Sequence, residues 1–392
     1  MKRYLFLLLI LPLISVSCSK DDDVPGPEDT TEQTILMYLP WGSNLLDPWF
    51  LDNIKDMEKA MAQNPPQNTR VLVYLNTTPT QASLFELKYE NGENTRTTIK
   101  TYTKHPFTTS AGITSMLNDV IGAAPGERYA MIIGCHGMAW IPAGTSSRSL
   151  LKGEKEYWEY TGEFQTRWFG GFSSEYQTDI STLAEGIDNA GIAMEYILFD
   201  DCYMSSIEVA YELKDVASHI IACPTEILIY GMPYEKIGQH LFGNVDYEKI
   251  TDEFLNFYEN NINPLGTIGV TVCSELENMA AVMKEINANF TLDPNELNKI
   301  QRMDQYTPVR FFDFGDYVTK LCTSSTMLAR FEAQLERTIP SKYRKHTESY
   351  PTSNPSMPAV KIDAYSGITV SDPSTSSATS AKTETAWYKA TH

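Results

Sequence analysis

Two apolar runs in this sequence stop on residues able to do nucleophilic chemistry. EYILFDDC, over residues 195–202, passes two aspartates and reaches a cysteine; YAMIIGCHG, over 129–137, reaches a histidine and a glycine. A thiol beside an imidazole can surrender its proton, and the thiolate is the attacking species. The imidazolium can then pass that proton to a leaving amine. The backbone N–H groups of Gly137 and Cys202 are the candidates for holding the oxyanion that develops on the attacked carbonyl. Most free cysteines are small buried hydrophobes, and Cys135, Cys223 and Cys273, set within apolar runs, read that way. Cys202 differs, standing past its run at a strand-to-helix junction. Asp200 and Asp201 oppose a thiolate next to them through like-charge repulsion.

For Cys202 and His136 to meet, their runs must be neighbouring strands of one sheet. In a parallel α/β sheet, chemistry gathers at the carboxyl ends of strands, where both residues lie. The rest of the chain fits such a sheet. Strand-like runs at 34–39 (TILMYL), 70–76 (RVLVYLN), 129–134, 195–199, 219–224 (HIIACP) and 267–273 (TIGVTVC) alternate with helical segments. The first helix carries Leu51, Ile54, Met57 and Met61 at helical spacing and stops at Pro65–Pro66. SLFELKYENGENTRTTIKTYT reads as a hairpin turned at ENGEN. Helices are expected near 112–122, 180–190 and 204–215 and through much of 275–340, with a β-like tail from 358. The segment 138–178 has no clear period, and so long a stretch without one is read as functional or disordered.

The chain opens with MKR, the apolar run YLFLLLILPLI and the small residues SVS before Cys18. That is the pattern of a secretory signal, too short to remain across a bilayer. Small residues before a cysteine resemble the lipobox of bacterial lipoproteins, in which Cys18 is lipidated; Ser15 stands where leucine is usual. The polar SKDDDVPGPEDTTEQ that follows reads as a solvated tether. Its acidic run resembles a signal for the outer face of the outer membrane. A net charge of −19 argues against a nucleic-acid partner, since phosphate neutralisation needs clustered Lys and Arg. Six cysteines at wide spacing form neither a disulfide framework nor a metal clamp. His105, His219, His240, His346 and His392 show no metal-ligand spacing, and no serine nucleophile elbow occurs.

YAMIIGCHGMAW resembles the histidine block of the clostripain family of cysteine peptidases, a strand followed by His-Gly-x-Gly-Trp. EYILFDDCYMSSIEVAYEL resembles its cysteine block, a strand followed by Phe-Asp-Ala-Cys-Leu-Met and a Glu-Val-Ala-Tyr-Glu-Leu helix. ILMYLPWGSNLLDPWFLDNIKDMEKAM is similar to the family's start. The resemblance implies a caspase-like three-layer α/β sandwich with a mostly parallel central sheet. It also implies a catalytic pair of His136 and Cys202, and a protein or peptide substrate. The organisation expected is a signal peptide at 1–17, an acidic tether at 18–33, a catalytic domain at 34–250 and a helical and β C-terminal region at 251–392 packed on it. The expected product is a monomeric, lipid-anchored endopeptidase of the outer membrane; a surface protein of the same fold that binds a peptide without turnover is the alternative.

Two departures from the family's pattern are visible: Ala139 where glycine is common, and Asp201 where alanine stands. Relatives that cut after Arg or Lys place two acids in the first specificity pocket. Asp200 matches one, but Tyr230 in ILIYGMPY occupies the place of the other. Substrates with an uncharged residue before the scissile bond are therefore expected to be cut as well as basic ones. Arg148, Lys152, Lys155 and Arg167 offer basic sites for an activating cut that this pocket is expected to make slowly. Some relatives use calcium; DDDVPGPED and DFGD match no EF-hand loop, so no metal or other cofactor is expected.

Overall fold

Nine strands form the central sheet of the computed structural model, which describes residues 31–42, 46–141, 169–171, 173–351, 358–375 and 377–392. The strands are β1 (Thr31–Leu39), β2 (Thr69–Thr78), β3 (Gln81–Glu90), β4 (Glu93–Thr103), β5 (Gly126–Gly134), β6 (Met194–Asp200), β7 (His219–Ala222), β8 (Thr267–Val272) and β9 (Lys345–His346). Their order is β9-β8-β7-β6-β5-β1-β2-β3-β4. The core β7-β6-β5-β1-β2 is parallel, with an antiparallel pair added at each margin. The mostly parallel α/β architecture read from the sequence is the one observed.

Burial explains the strand sequences. β1, β5 and β6 lie inside the sheet with helices over both faces, so apolar residues are wanted on both sides and their runs do not alternate. The β3–β4 hairpin turns at Asn91 and Gly92, both with positive φ (54° and 85°), as a tight turn in a right-twisted ribbon requires. β1 starts at Thr31, inside the segment read as tether. Its polar Gln33 is fully buried because every end of the amide is used: Nε2 donates to Glu195 and to the Leu241 carbonyl, and Oε1 accepts from Gly243 N.

Helices α1 (Asp47–Gln63), α5 (Tyr234–Leu241) and α6 (Tyr247–Glu259) pack together. Helices α2 (Ser110–Ala123), α3 (Ile180–Asn189), α4 (Ile207–Leu213), α7 (Leu276–Asn289) and α8 (Ser325–Thr338) form the second group, joined by the closing helix Ala386–Thr391. From β1 the chain crosses through α1 to β2, and from β5 through α3 to β6, in opposite directions along the sheet. Right-handed crossovers then put α1 and α3 on opposite faces, giving three layers. In α1 the buried stripe is Phe50, Ile54, Met57 and Met61; Leu51, expected there, is 40% exposed, because Phe50, four residues before Ile54, fills that row and Leu51 falls about 100° round the helix from it. No helix among the described residues is long and apolar enough to cross a membrane.

The C-terminal tail departs from expectation. Between 358 and 392 the described chain has only the two-residue strands Val360–Lys361 and Thr369–Val370, then short helical turns and the closing helix. Its shape comes from bonds to distant partners: Thr369 N donates to the Ser205 carbonyl, and Ser205 Oγ to the Gly367 carbonyl.

Candidate active site

The register of β5 on β6 pairs Gly134 with Asp200, the last residues of the two strands. Beyond that pair each chain runs two residues further, one to His136 and the other to Cys202. Cys135 N donates to Asp201 Oδ1 at 2.5 Å, holding the two extensions together. A Cβ on Gly137 would lie 2.6 Å from the Cys202 carbonyl oxygen and 2.7 Å from Asp201 Cβ. Only glycine permits that approach, so the segment leaving His136 passes in contact with the backbone of Cys202. His136 is 3% exposed and pairs with Gly170, and Gly137 with Phe169, so a short strand from the far side of segment 138–178 braces the histidine. Phe169 anchors that brace, its ring 6.5 Å from both Tyr38 and Phe199.

Cys202 is partly exposed, and Cys135, Cys223, Cys273 and Cys322 are buried. Ile227 N–H donates to Cys202 Sγ at 3.4 Å, and the thiol faces the Ile227 carbonyl at 3.9 Å. Burial pushes the Cys223 thiol well up and Cys273 to about 12, so both stay protonated at neutral pH. Tyr203, next to Cys202, holds a left-handed backbone (φ 64°) while fully buried. Its hydroxyl donates to Glu226 at 2.6 Å and its ring stacks on Phe311 at 5.0 Å. A bulky residue in that conformation is strained, and these contacts on the Tyr203 side chain offset the cost.

The two aspartates before the cysteine are bonded elsewhere. Asp200 accepts from Met232 N (2.7 Å), Tyr234 Oη (2.9 Å) and Asn53 Nδ2 (3.1 Å), fixing the loop after β7. Cys202, Cys135 and Asp200 line one small cavity with Trp49, Asn53 and Ile227. Its volume, ≈ 30 Å³, is about one water's share of liquid volume. Tyr230 does not line it. Tyr230 borders the neighbouring pocket of ≈ 420 Å³ with Trp49, Asp56, Lys59 and Glu235, and its ring meets Trp49 edge-on at 6.3 Å. The family pattern puts Asp200 and Tyr230 in one pocket; in the structure Trp49 borders two, with Asp200 in one and Tyr230 in the other.

Ala139 adopts φ 51°, the region in which glycine is free, which is why glycine suits this place. Ile227, Asn53 and Trp49 escaped the sequence reading. Asn53 alone left a signal, a polar residue between buried Phe50 and Ile54 of α1. No group of three or more His, Cys, Asp or Glu among the described residues could hold a metal ion, so no residues are assigned to calcium. Residues 1–17, Cys18, Arg148, Lys152, Lys155 and Arg167 lie outside the described residues.

The model of the peptidase C11, clostripain, family matches residues 40–357 of the chain. A secreted C11 cysteine protease from Bacteroides thetaiotaomicron, iotapain, is 53% identical over 93% of this chain and 99% of its own, with a TM-score of 0.84. A clostripain from Bacteroides thetaiotaomicron ATCC 29148, in complex with the peptide inhibitor BTN-VLTK-AOMK, is 57% identical over 57% of this chain and 99% of its own (TM-score 0.56). An inactive zymogen C11 protease from Parabacteroides distasonis, 24% identical, shares the fold with a TM-score of 0.77 over 93% of this chain and 99% of its own. Among curated proteins none matches the chain.

Proposed function

The chain belongs to the clostripain family and is a cysteine peptidase, and from that premise we propose that His136 and Cys202 are its catalytic pair. The observation that carries this is the contact of Gly137 with the Cys202 carbonyl, which sets the two strand ends side by side. His136 takes the thiol proton and Cys202 Sγ attacks the carbonyl carbon of the scissile peptide. The oxyanion is held by the N–H groups of Gly137 and Cys202. When the C–N bond breaks, His136 returns the proton to the leaving amine and a thioester remains on Cys202. Water, deprotonated by His136, attacks the thioester; the acid leaves and the thiol is restored.

The residue before the scissile bond is proposed to be basic. A relative 57% identical to this chain binds a peptide inhibitor whose letters, VLTK, end in lysine. Asp200 borders the Cys202 cavity as a negative charge, and Tyr230, the reason to expect uncharged substrates, borders the neighbouring pocket instead. Export is proposed to end in a lipid on Cys18 after removal of residues 1–17. The signal-like start and the secreted relative support export; the small residues before Cys18 support the lipid.

A peptide-library digest with wild type, His136→Ala and Cys202→Ala tests the chemistry. Cleavage after Lys or Arg by wild type and loss of turnover in both variants is expected; full turnover by Cys202→Ala refutes the pair. Detergent phase partitioning of the full chain and Cys18→Ala tests the anchor. The expected result is native protein in the detergent phase and the variant in water; both in water refutes lipidation.

A further inference from the structure

The tail that ends the chain touches both catalytic segments through one residue. Ser371 is fully buried, and each of its three polar groups is engaged. Its hydroxyl accepts from Trp140 Nε1 at 2.9 Å, four residues past His136. Its amide donates to Glu208 Oε1 at 3.1 Å, six residues past Cys202 on α4. Its carbonyl accepts from Lys382 Nζ, and Lys382 pairs in turn with Glu208 Oε1 at 3.2 Å, both side chains being almost wholly buried. Glu208 Oε2 also takes the Ser206 hydroxyl at 2.5 Å, so the charged pair grips the turn between Cys202 and α4.

A buried charge pair is kept only where its geometry is good and its remaining valences are filled, and removing one partner leaves a charge stranded. Here the remaining valences are filled by the Ser371 amide and carbonyl and by the Ser206 hydroxyl. Nothing along 129–141 bonds directly to Glu208 in this network; the route from the histidine side runs through the Ser371 hydroxyl. We propose that Ser371 is a positioning residue for the peptidase reaction. It ties the Trp140 segment to the Glu208–Lys382 pair and so acts with the Cys135–Asp201 bond in setting the distance between imidazole and thiol. The proposal rests on the assignment of His136 and Cys202 as the catalytic pair.

Ser371→Ala tests it cleanly, because both backbone bonds stay and the Trp140 bond goes. A misplacement of about 1 Å in an active site costs about a hundredfold in rate, so kcat is expected to fall roughly ten- to a hundredfold. KM should stay within about twofold, since the change touches no proposed substrate contact. Iodoacetamide should alkylate Cys202 more slowly at neutral pH, as for a thiol parted from its imidazole. Ser371→Thr keeps a hydroxyl and should restore both rates. Trp140→Phe removes the same bond from its other end, so it should match Ser371→Ala and the double variant should be no worse than either. If Ser371→Ala lowers only the melting temperature and leaves kcat and the alkylation profile unchanged, Ser371 is structural and the proposal fails. Multiplying losses in the double variant also overturn it. His136→Ala and Cys202→Ala are assayed alongside. If they turn over like wild type, the catalytic pair is wrong and the proposal falls with it; if they are inactive while Ser371→Ala matches wild type, the pair stands and the Ser371 proposal alone is refuted.

Discussion

Asp201 accepts the Cys135 amide at 2.5 Å and the Cys135 thiol at 3.6 Å, so one buried carboxylate joins the chain leading into His136 to the chain leading into Cys202. The family's alanine at this place makes no such bond. The cost is a negative charge beside Cys202. Asp201→Asn keeps an oxygen for the Cys135 amide and removes the charge, and the midpoint of Cys202 alkylation against pH should move down. Asp201→Ala also strands the amide, at about 1–3 kcal/mol, visible as a lower urea midpoint. An unmoved alkylation curve in Asp201→Asn contradicts this account of the charge.

Ala139 sits in the left-handed region with its methyl fully buried. Glycine there relieves about 1–2 kcal/mol of strain, loses roughly 0.5–1 kcal/mol in chain entropy and about 0.8 kcal/mol of methyl burial. Ala139→Gly is therefore expected to be neutral within about 1 kcal/mol, and Ala139→Val to cost about 3 kcal/mol or more. Chemical denaturation measures both. A loss of 2 kcal/mol or more in Ala139→Gly contradicts the strain argument.

The loop that supports Tyr203 contains a titrating group. Asp304 is fully buried and accepts the amides of Tyr306, Arg310 and Phe311, yet burial outweighs those bonds and pushes its carboxyl up to about 6. The folded chain then holds this proton more tightly than the unfolded chain. Its contribution to stability is largest below about pH 4 and declines as pH rises to about 6, by on the order of 3 kcal/mol. Asp304→Asn has no such proton, so the stability of wild type relative to this variant should shrink from pH 4 to pH 6 and be flat above. A relative stability that grows across that window overturns the assignment.

Lysine selection should depend on Asp200 and little on Tyr230. The readout is the ratio of kcat/KM for a lysine substrate to that for its norleucine counterpart, which cancels loop effects common to both. Asp200→Asn removes a charge-assisted contact of about 1.5–3 kcal/mol and should lower the ratio by roughly one to two decades. Tyr230→Asp, placed in the neighbouring pocket, should leave it within about threefold. A hundredfold rise in Tyr230→Asp would restore the single-pocket reading.

The strands that carry His136 and Cys202 were legible because their apolar runs end on polar, titratable residues: EYILF and YAMII mark the ends of β6 and β5, and the ENG turn marks the β3–β4 hairpin. What supports the site was not legible. β9 is two residues in a charged stretch, too short for any period. The tail around Ser371 read as β-like, and its course follows from bonds to Ser205, Glu208 and Trp140, more than a hundred and sixty positions away. Periodicity reports faces of local elements and is blind to such ties. The place of Tyr230 in ILIYGMPY gives a sequence position but not the pocket its side chain borders.

The central claim is that one thiol, activated by one imidazole, carries the chemistry. Its most direct test is to treat the full chain with a peptide acyloxymethyl ketone ending in lysine and map the adduct by mass spectrometry, in wild type, His136→Ala and Cys202→Ala. The account predicts an adduct on Cys202 alone, formed much more slowly in His136→Ala and absent in Cys202→Ala. An adduct on another cysteine, or labelling of Cys202→Ala at the wild-type rate, would contradict it.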